Sequence, residues 1–125
     1  MEIKEGKLVL VARLTGSAIS IVEDTLIDTG STFTILPPEV ADKLKLKVYR
    51  QMPKVNLTTA SGFIEAPVRL LNQIEVGELG LDNIPVVIHR IPDPAPVKIL
   101  IGMNLLQRAK LLVNGKEGEF KLDDP

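Results

Sequence analysis

The sequence predicts a mainly β protein of one domain, with one or two short helices. Three observations predict it. Val, Ile, Thr and Leu gather in short runs punctuated by Gly, Pro, Asn and Asp, the pattern of strands joined by tight turns. Residues 55–59 alternate with period two, as a half-buried strand does. The chain is 125 residues long and 45% hydrophobic, and no linker divides it, so residues 1–125 form a single domain with its core at about 7–122.

The elements follow in order. Residues 7–14 and 17–23 read as two strands joined at Thr15-Gly16. Glu23-Asp24 reads as a loop, after which Leu26 and Ile27 form a short apolar strand entering Asp28-Thr29-Gly30. Residues 31–36 read as another extended segment. Residues 37–44, Pro37-Pro38-Glu39-Val40-Ala41-Asp42-Lys43-Leu44, read as a short amphipathic helix. Proline suits the first turn, an acid follows it closely, and Val40 and Leu44 share a face four residues apart.

Val55, Leu57 and Thr59 share one face of the next strand. Ser61-Gly62 makes a turn and the chain returns, so 54–71 is a hairpin. Strands follow at 74–76 and 84–89, with a turn around 77–82. The closely spaced prolines of 91–96 cannot supply a sheet ladder and mark a loop. Residues 97–101, ending at Gly102, read as a strand buried on both faces. Residues 103–110 read as a helix, and Asn114-Gly115 turns a last hairpin linking 111–113 to 119–122. A hairpin-rich stretch leading to a buried strand that ends in glycine occurs twice, at Leu26–Gly30 and again at Ile99–Gly102.

Charge and composition exclude several classes of function. The formal net charge is −1, and no Lys/Arg cluster is interleaved with aromatics, which argues against nucleic acid as a partner. Cys is absent, so disulfides, thiolate metal sites and cysteine nucleophiles are excluded. His89 is the single histidine. Without a second it can build neither a nucleophile relay nor a zinc site, and beside Arg90 it reads as a solvent-facing strand residue. Asp123-Asp124 lacks a ligand loop and reads as a solvated tail rather than a Ca²⁺ site. No cofactor and no metal are expected. The charged N-terminus does not read as a signal peptide, and the apolar runs are too short for a bilayer. A cytoplasmic protein without membrane association is the expectation.

The chemistry-bearing candidate is Leu26-Ile27-Asp28-Thr29-Gly30-Ser31-Thr32. Asp-Thr-Gly by itself also describes a turn, with Asp28 accepting local hydrogen bonds. Two apolar residues before the acid, however, deliver the carboxylate to the end of a packed strand. Small hydroxyl residues and backbone amides after it offer the donors that a buried carboxylate needs.

With these residues the sequence resembles the retropepsin-like aspartic proteases, which include the retroviral proteases and their single-domain cellular and microbial relatives. Three motifs match in order: Leu26-Ile27-Asp28-Thr29-Gly30-Ser31-Thr32 at the family's catalytic loop, Thr58-Thr59-Ala60-Ser61-Gly62 at its flap, and Ile99-Leu100-Ile101-Gly102-Met103-Asn104-Leu105-Leu106 at its apolar-apolar-Gly strand and following helix. The helix opened by Pro37-Pro38-Glu39-Val40-Ala41 is typical of the cellular branch. Thr32 and Phe33 stand where the viral enzymes carry acidic residues, so the viral inter-subunit contacts are not carried over.

The resemblance implies a small closed β-barrel with a flap hairpin. Pepsin-like enzymes carry two such motifs in one chain. This chain carries one, so the resemblance implies a homodimer whose two-fold axis brings two Asp28 carboxylates together. The pair would activate a water for peptide hydrolysis, with no acyl-enzyme. Thr29 would brace the two loops across the axis, and Gly30 would leave room for substrate. Ala60, Ser61, Gly62 and Phe63 would close over an extended peptide or unfolded protein substrate. For Phe63 and Ile64, ordinary packing of the hairpin stands as an equal reading. Strand 119–122 could join an inter-subunit sheet. Two other readings remain at this stage: the same fold as a catalytically silent peptide-binding or dimerisation module, and an unrelated small barrel in which Asp28 is a turn residue.

Overall fold

The computed structural model describes residues 1–92 and 97–125, with the side chain of Thr59 left aside. Ten strands and two helices appear: β1 Val9–Thr15, β2 Ser20–Ile27, β3 Thr34–Leu36, α1 Pro38–Leu44, β4 Lys47–Val48, β5 Lys54–Thr59, β6 Gly62–Val76, β7 Leu79–Ile88, β8 Ile99–Ile101, α2 Met103–Leu106, β9 Lys110–Asn114 and β10 Glu119–Asp123. Among the described residues, strand structure takes 55% and helix 9%, so the mainly β expectation holds.

Six strands close a barrel in the order β1-β2-β8-β3-β7-β6, and β6 returns to β1 through Arg13↔Glu75, Leu14↔Ile74 and Thr15↔Gln73. Closure removes the exposed edges that an open sheet of this size would present. The inward positions alternate as the pleat requires: Leu10, Ala12 and Leu14 of β1, Leu71, Ile74 and Val76 of β6, and Ile99 and Ile101 of β8 are all buried. α1 adds Val40, Ala41 and Leu44 to this core, and α2 adds Leu105 and Leu106. Truncating a fully buried member such as Leu14 or Leu71 to Ala costs about 2–5 kcal/mol. The two buried polar side chains, Thr25 and Thr34, are hydrogen-bonded, Thr25 Oγ1 donating to Leu10 O at 3.0 Å.

α1 lies where proline and spacing place it, with Pro38 in its first turn. It ends at Lys45, which takes the left-handed conformation (φ 53°) and donates to Asp42 O. Other boundaries differ from the sequence reading. Glu23-Asp24 is not a loop: β2 runs unbroken to Ile27, with half-buried Glu23 paired to Ala12 and exposed Asp24 paired to Val11. Residues 31–33 are not strand, since only Thr34–Leu36 pairs. The expected strands 63–71 and 74–76 are one strand of 15 residues, because Asn72 and Gln73 interrupt the apolar pattern without interrupting the ladder. The turn after it is only Gly77-Glu78, with Gly77 at φ 58°.

β8 is shorter than expected, since Val97 and Lys98 precede it. Ile91 and Pro92 are loop as expected, and 93–96 of the expected loop lie outside the described residues. α2 spans four residues instead of eight. The chain leaves it through tight turns, Arg108 N–H to Leu105 O and Ala109 N–H to Leu106 O, and enters β9. The last hairpin exists, but pairing Asn114↔Glu119 leaves a four-residue loop, not a two-residue Asn-Gly turn. β10 is not a free edge for an inter-subunit sheet. β9 covers one side of it, and residues 1–2 cover the other through Phe120 N–H to Met1 O and the bridge Glu2↔Glu119.

Candidate active site

Asp28 leaves the barrel at the end of β2. Its backbone N–H donates to Ile101 O at 2.9 Å, which carries the parallel β2–β8 ladder one residue further and fixes where the side chain emerges. The chain then turns tightly, with Ser31 N–H donating to Asp28 O at 3.1 Å. Gly30 N–H donates to Asp28 Oδ1 at 2.9 Å, so the carboxylate is oriented by the backbone that follows it. A Cβ at Gly30 would lie 3.2 Å from that same oxygen. Asp28 is half-buried, whereas Thr29 and Gly30 are exposed at the tip of the loop.

The loop rests on the start of α2. Ser31 O accepts from Met103 N–H at 2.7 Å and Thr32 O from Asn104 N–H at 3.0 Å, so loop carbonyls satisfy amides that the short helix leaves open. Ser31 Oγ donates to Phe33 O at 2.7 Å. Below it Asn104 ties three elements together: its Oδ1 accepts from both Thr34 N–H and Thr34 Oγ1 at 2.9 Å, and its Nδ2 donates to Pro85 O at 2.7 Å. Thr34 Oγ1 also accepts from Gly102 N–H at 3.2 Å. Gly102 is buried where the two segments cross, and a Cβ there would fall 2.2 Å from Phe33 O. The glycine ending β8 is therefore a steric requirement for seating the Asp28 loop.

Facing the loop is the hairpin of β5 and β6. Thr59 pairs with Gly62, leaving Ala60-Ser61 as the two-residue tip, with Gly62 at φ 115°. The expected tip was one residue further on, at Ser61-Gly62. Between loop and hairpin lies a cavity of about 550 Å³. Asp28, Gly30 and Ala60 are on its wall, with Leu57 of β5, Ile35 of β3 and Leu100 of β8 supplying apolar surface. Thr29, Ser61, Gly62 and Phe63 are not on that wall. Phe63 is 78% exposed and does not pack beneath the hairpin, while Ile64, opposite Leu57, is half-buried.

His89 was expected to face solvent. Instead it is half-buried and lines the cavity with Asp28. The period-two pattern ends at Ile88, so the sequence carried no signal for where the next side chain would go. Asn104 also escaped the sequence reading as a site residue. Arg90 beyond His89 forms a two-pronged pair with Glu39 of α1, at 3.0 and 2.8 Å. The backbone N–H of Glu39 and then this guanidinium hold the Glu39 carboxyl below its ordinary value. Among the described residues no group of three or more His, Cys, Asp and Glu side chains could hold a metal ion, and no helix is long and apolar enough to cross a membrane.

Residues 13–105 match the family model described as aspartyl protease, three-quarters of the chain and all of the elements around the cavity. The chain belongs to the aspartyl protease family. Two solved structures show that its fold is retropepsin-like. A retropepsin-like aspartic protease from Rickettsia conorii superposes with a TM-score of 0.70 at 24% identity, covering 99% of this chain and 88% of that one. The retroviral protease-like domain of Ddi1 from Leishmania major superposes with a TM-score of 0.59 at 12% identity, covering 95% and 90%. A comparison with curated proteins finds no match. Within this family the fold is the retropepsin-like closed barrel, which removes the reading of an unrelated barrel.

Proposed function

We propose that this aspartyl protease is a homodimeric endopeptidase in which two Asp28 carboxylates, one from each protomer, activate the water that hydrolyses the peptide bond. The observation that carries the reading is the seating of Asp28: it is fixed by the β2–β8 ladder, oriented by Gly30 N–H, and open to a largely apolar cavity beneath a hairpin. One protomer supplies one such carboxylate. Two of them across a two-fold axis would hold a single proton between them, behaviour for which aspartic proteases are themselves the standard example. The ionised member takes a proton from water, and the protonated member donates to the carbonyl oxygen as the tetrahedral intermediate forms. In this reading Thr29, exposed beside Asp28, braces the loops across the axis, and Gly30 leaves space for the substrate backbone. The hairpin residues Ala60, Ser61, Gly62 and Phe63 close over an extended peptide or unfolded segment.

The test is cleavage of a mixed peptide library at mildly acidic pH by wild type and Asp28→Asn, at high protein concentration. Asp28→Asn is expected to leave the fold intact and to abolish cutting. Cleavage that survives the substitution would overturn the role of Asp28. A folded, dimeric wild type that binds peptides and cuts none would make the protein a peptide-binding module.

A further inference from the structure

The cavity beside Asp28 holds one basic group. His89 follows the last residue of β7, and its backbone N–H donates to Leu36 O at 2.9 Å, adding a rung to the parallel β3–β7 ladder. Its position is thus set by the barrel wall rather than by a loose loop. It lines the cavity with Phe33, Ile35, Leu57 and Leu100, a wall of apolar surface with an imidazole at one place on it. Among the described residues that imidazole has no hydrogen-bond or ion-pair partner. Arg90, the next cation in the chain, is exposed and held by Glu39, so it does not compete for the same position.

We infer that His89 is a specificity residue: it selects peptides that place a glutamate side chain in this cavity near the cut bond. The inference rests on the endopeptidase reading. Glutamate suits the wall because its methylene stem can lie on apolar side chains while its carboxylate accepts from a protonated imidazole, a charge-assisted hydrogen bond in a partly desolvated place. Glutamine has the same shape without the charge, so a Glu/Gln pair of peptides isolates the interaction.

The preference carries a pH dependence of known sign. It requires imidazolium and carboxylate together, so it is stronger at acidic than at alkaline pH. The charged groups around His89 are few. Asp28 is the other ionisable residue on the cavity wall, while β3, β5 and β8 bring only neutral side chains to it. The Arg90–Glu39 pair and the exposed Lys98 lie beyond the wall, and Asp93 lies outside the described residues.

The experiment measures kcat/KM for matched peptides carrying Glu or Gln at each position flanking a known cut. It compares wild type, His89→Gln and His89→Lys at pH 5 and pH 8. Wild type should favour Glu about tenfold at one position at pH 5 and show a smaller preference at pH 8. His89→Gln should show none at either pH, and His89→Lys should keep the preference at both, which a purely structural role for His89 would not produce. A wild-type ratio of one at every position at pH 5, or a preference that survives His89→Gln, overturns the inference. Binding of the same peptide pairs to Asp28→Asn, followed by calorimetry, separates it from the endopeptidase reading. A tenfold affinity ratio without any turnover would uphold the role of His89 and remove the catalysis. Equal binding, or no binding of either peptide, would remove the role of His89.

Discussion

At Gly102 a single added methyl group would meet the backbone of the Asp28 loop. A Cβ there would lie 2.2 Å from Phe33 O, 2.4 Å from Phe33 C and 2.8 Å from Ser31 O, all main-chain atoms that cannot swing aside as a side-chain end can. Either β8 moves outward or residues 31–33 move with their neighbour Asp28. Overpacking of this kind costs about 1–3 kcal/mol, so Gly102→Ala should lower the free energy of unfolding by that amount. Its loss of kcat should be larger than a stability change of that size explains, because the displaced segment is the one that aims Asp28. Unchanged activity in a destabilised Gly102→Ala would show that the loop is seated independently of β8. At this scale Asp28 was legible because its signals are local: two apolar residues before it, and donors immediately after. Asn104 and His89 were not. Asn104 acts by joining Thr34 and Pro85, which are 70 and 19 residues away, and His89 matters only because β3 and β5 bring the cavity wall to it.

Among the elements, the β5–β6 hairpin has a tip that depends on a glycine conformation and faces the Asp28 cavity. Gly62 has φ 115°, a region closed to residues with a Cβ, although open space surrounds it. Gly62→Val therefore carries a backbone cost without a clash, of about 1–3 kcal/mol. β5 packs on β6 and on the small cluster of Ala66, Val68 and Val87 rather than on the main core. The cost should accordingly appear as local opening. Hydrogen-exchange protection should fall for residues 57–64 while the barrel strands keep theirs, and KM should rise more than the global stability falls. A uniform loss of protection across β1, β6 and β8 would mean that the hairpin is part of the cooperative core. α1 was readable to within one residue because proline, acid and apolar spacing all agree within one short segment. α2 was overestimated for the opposite reason. Residues 103–110 keep an apolar pattern, but Arg108 reaches Asp82 O at 2.8 Å and the chain is drawn into β9, a tertiary demand that helical spacing does not announce.

For the whole molecule, barrel closure is the feature least visible in the chain, since β1 and β6 meet only through three residue pairs some sixty positions apart. The sequence located most strand runs but split β2 and β6 and missed β4, and their order around the barrel follows from long-range pairing. Closure completes the protomer's core while leaving one Asp28 loop at its surface, so the fold is self-sufficient and the proposed chemistry is not. That asymmetry gives a test that needs no structure of the dimer. If wild type and Asp28→Asn fold and dimerise alike, mixing them in equal amounts at fixed total concentration yields about one quarter wild-type homodimer, one half heterodimer and one quarter mutant homodimer. If both carboxylates are required, activity falls to about one quarter of the all-wild-type value once subunits have exchanged. Independent protomers would give about one half. Dilution adds a second reading of the same coupling. With a required dimer, specific activity falls below the dissociation constant for self-association, and sedimentation should show monomer appearing over the same range. A ratio of one half, with specific activity constant on dilution, would mean that one Asp28 suffices and that the two-fold axis plays no part in the chemistry.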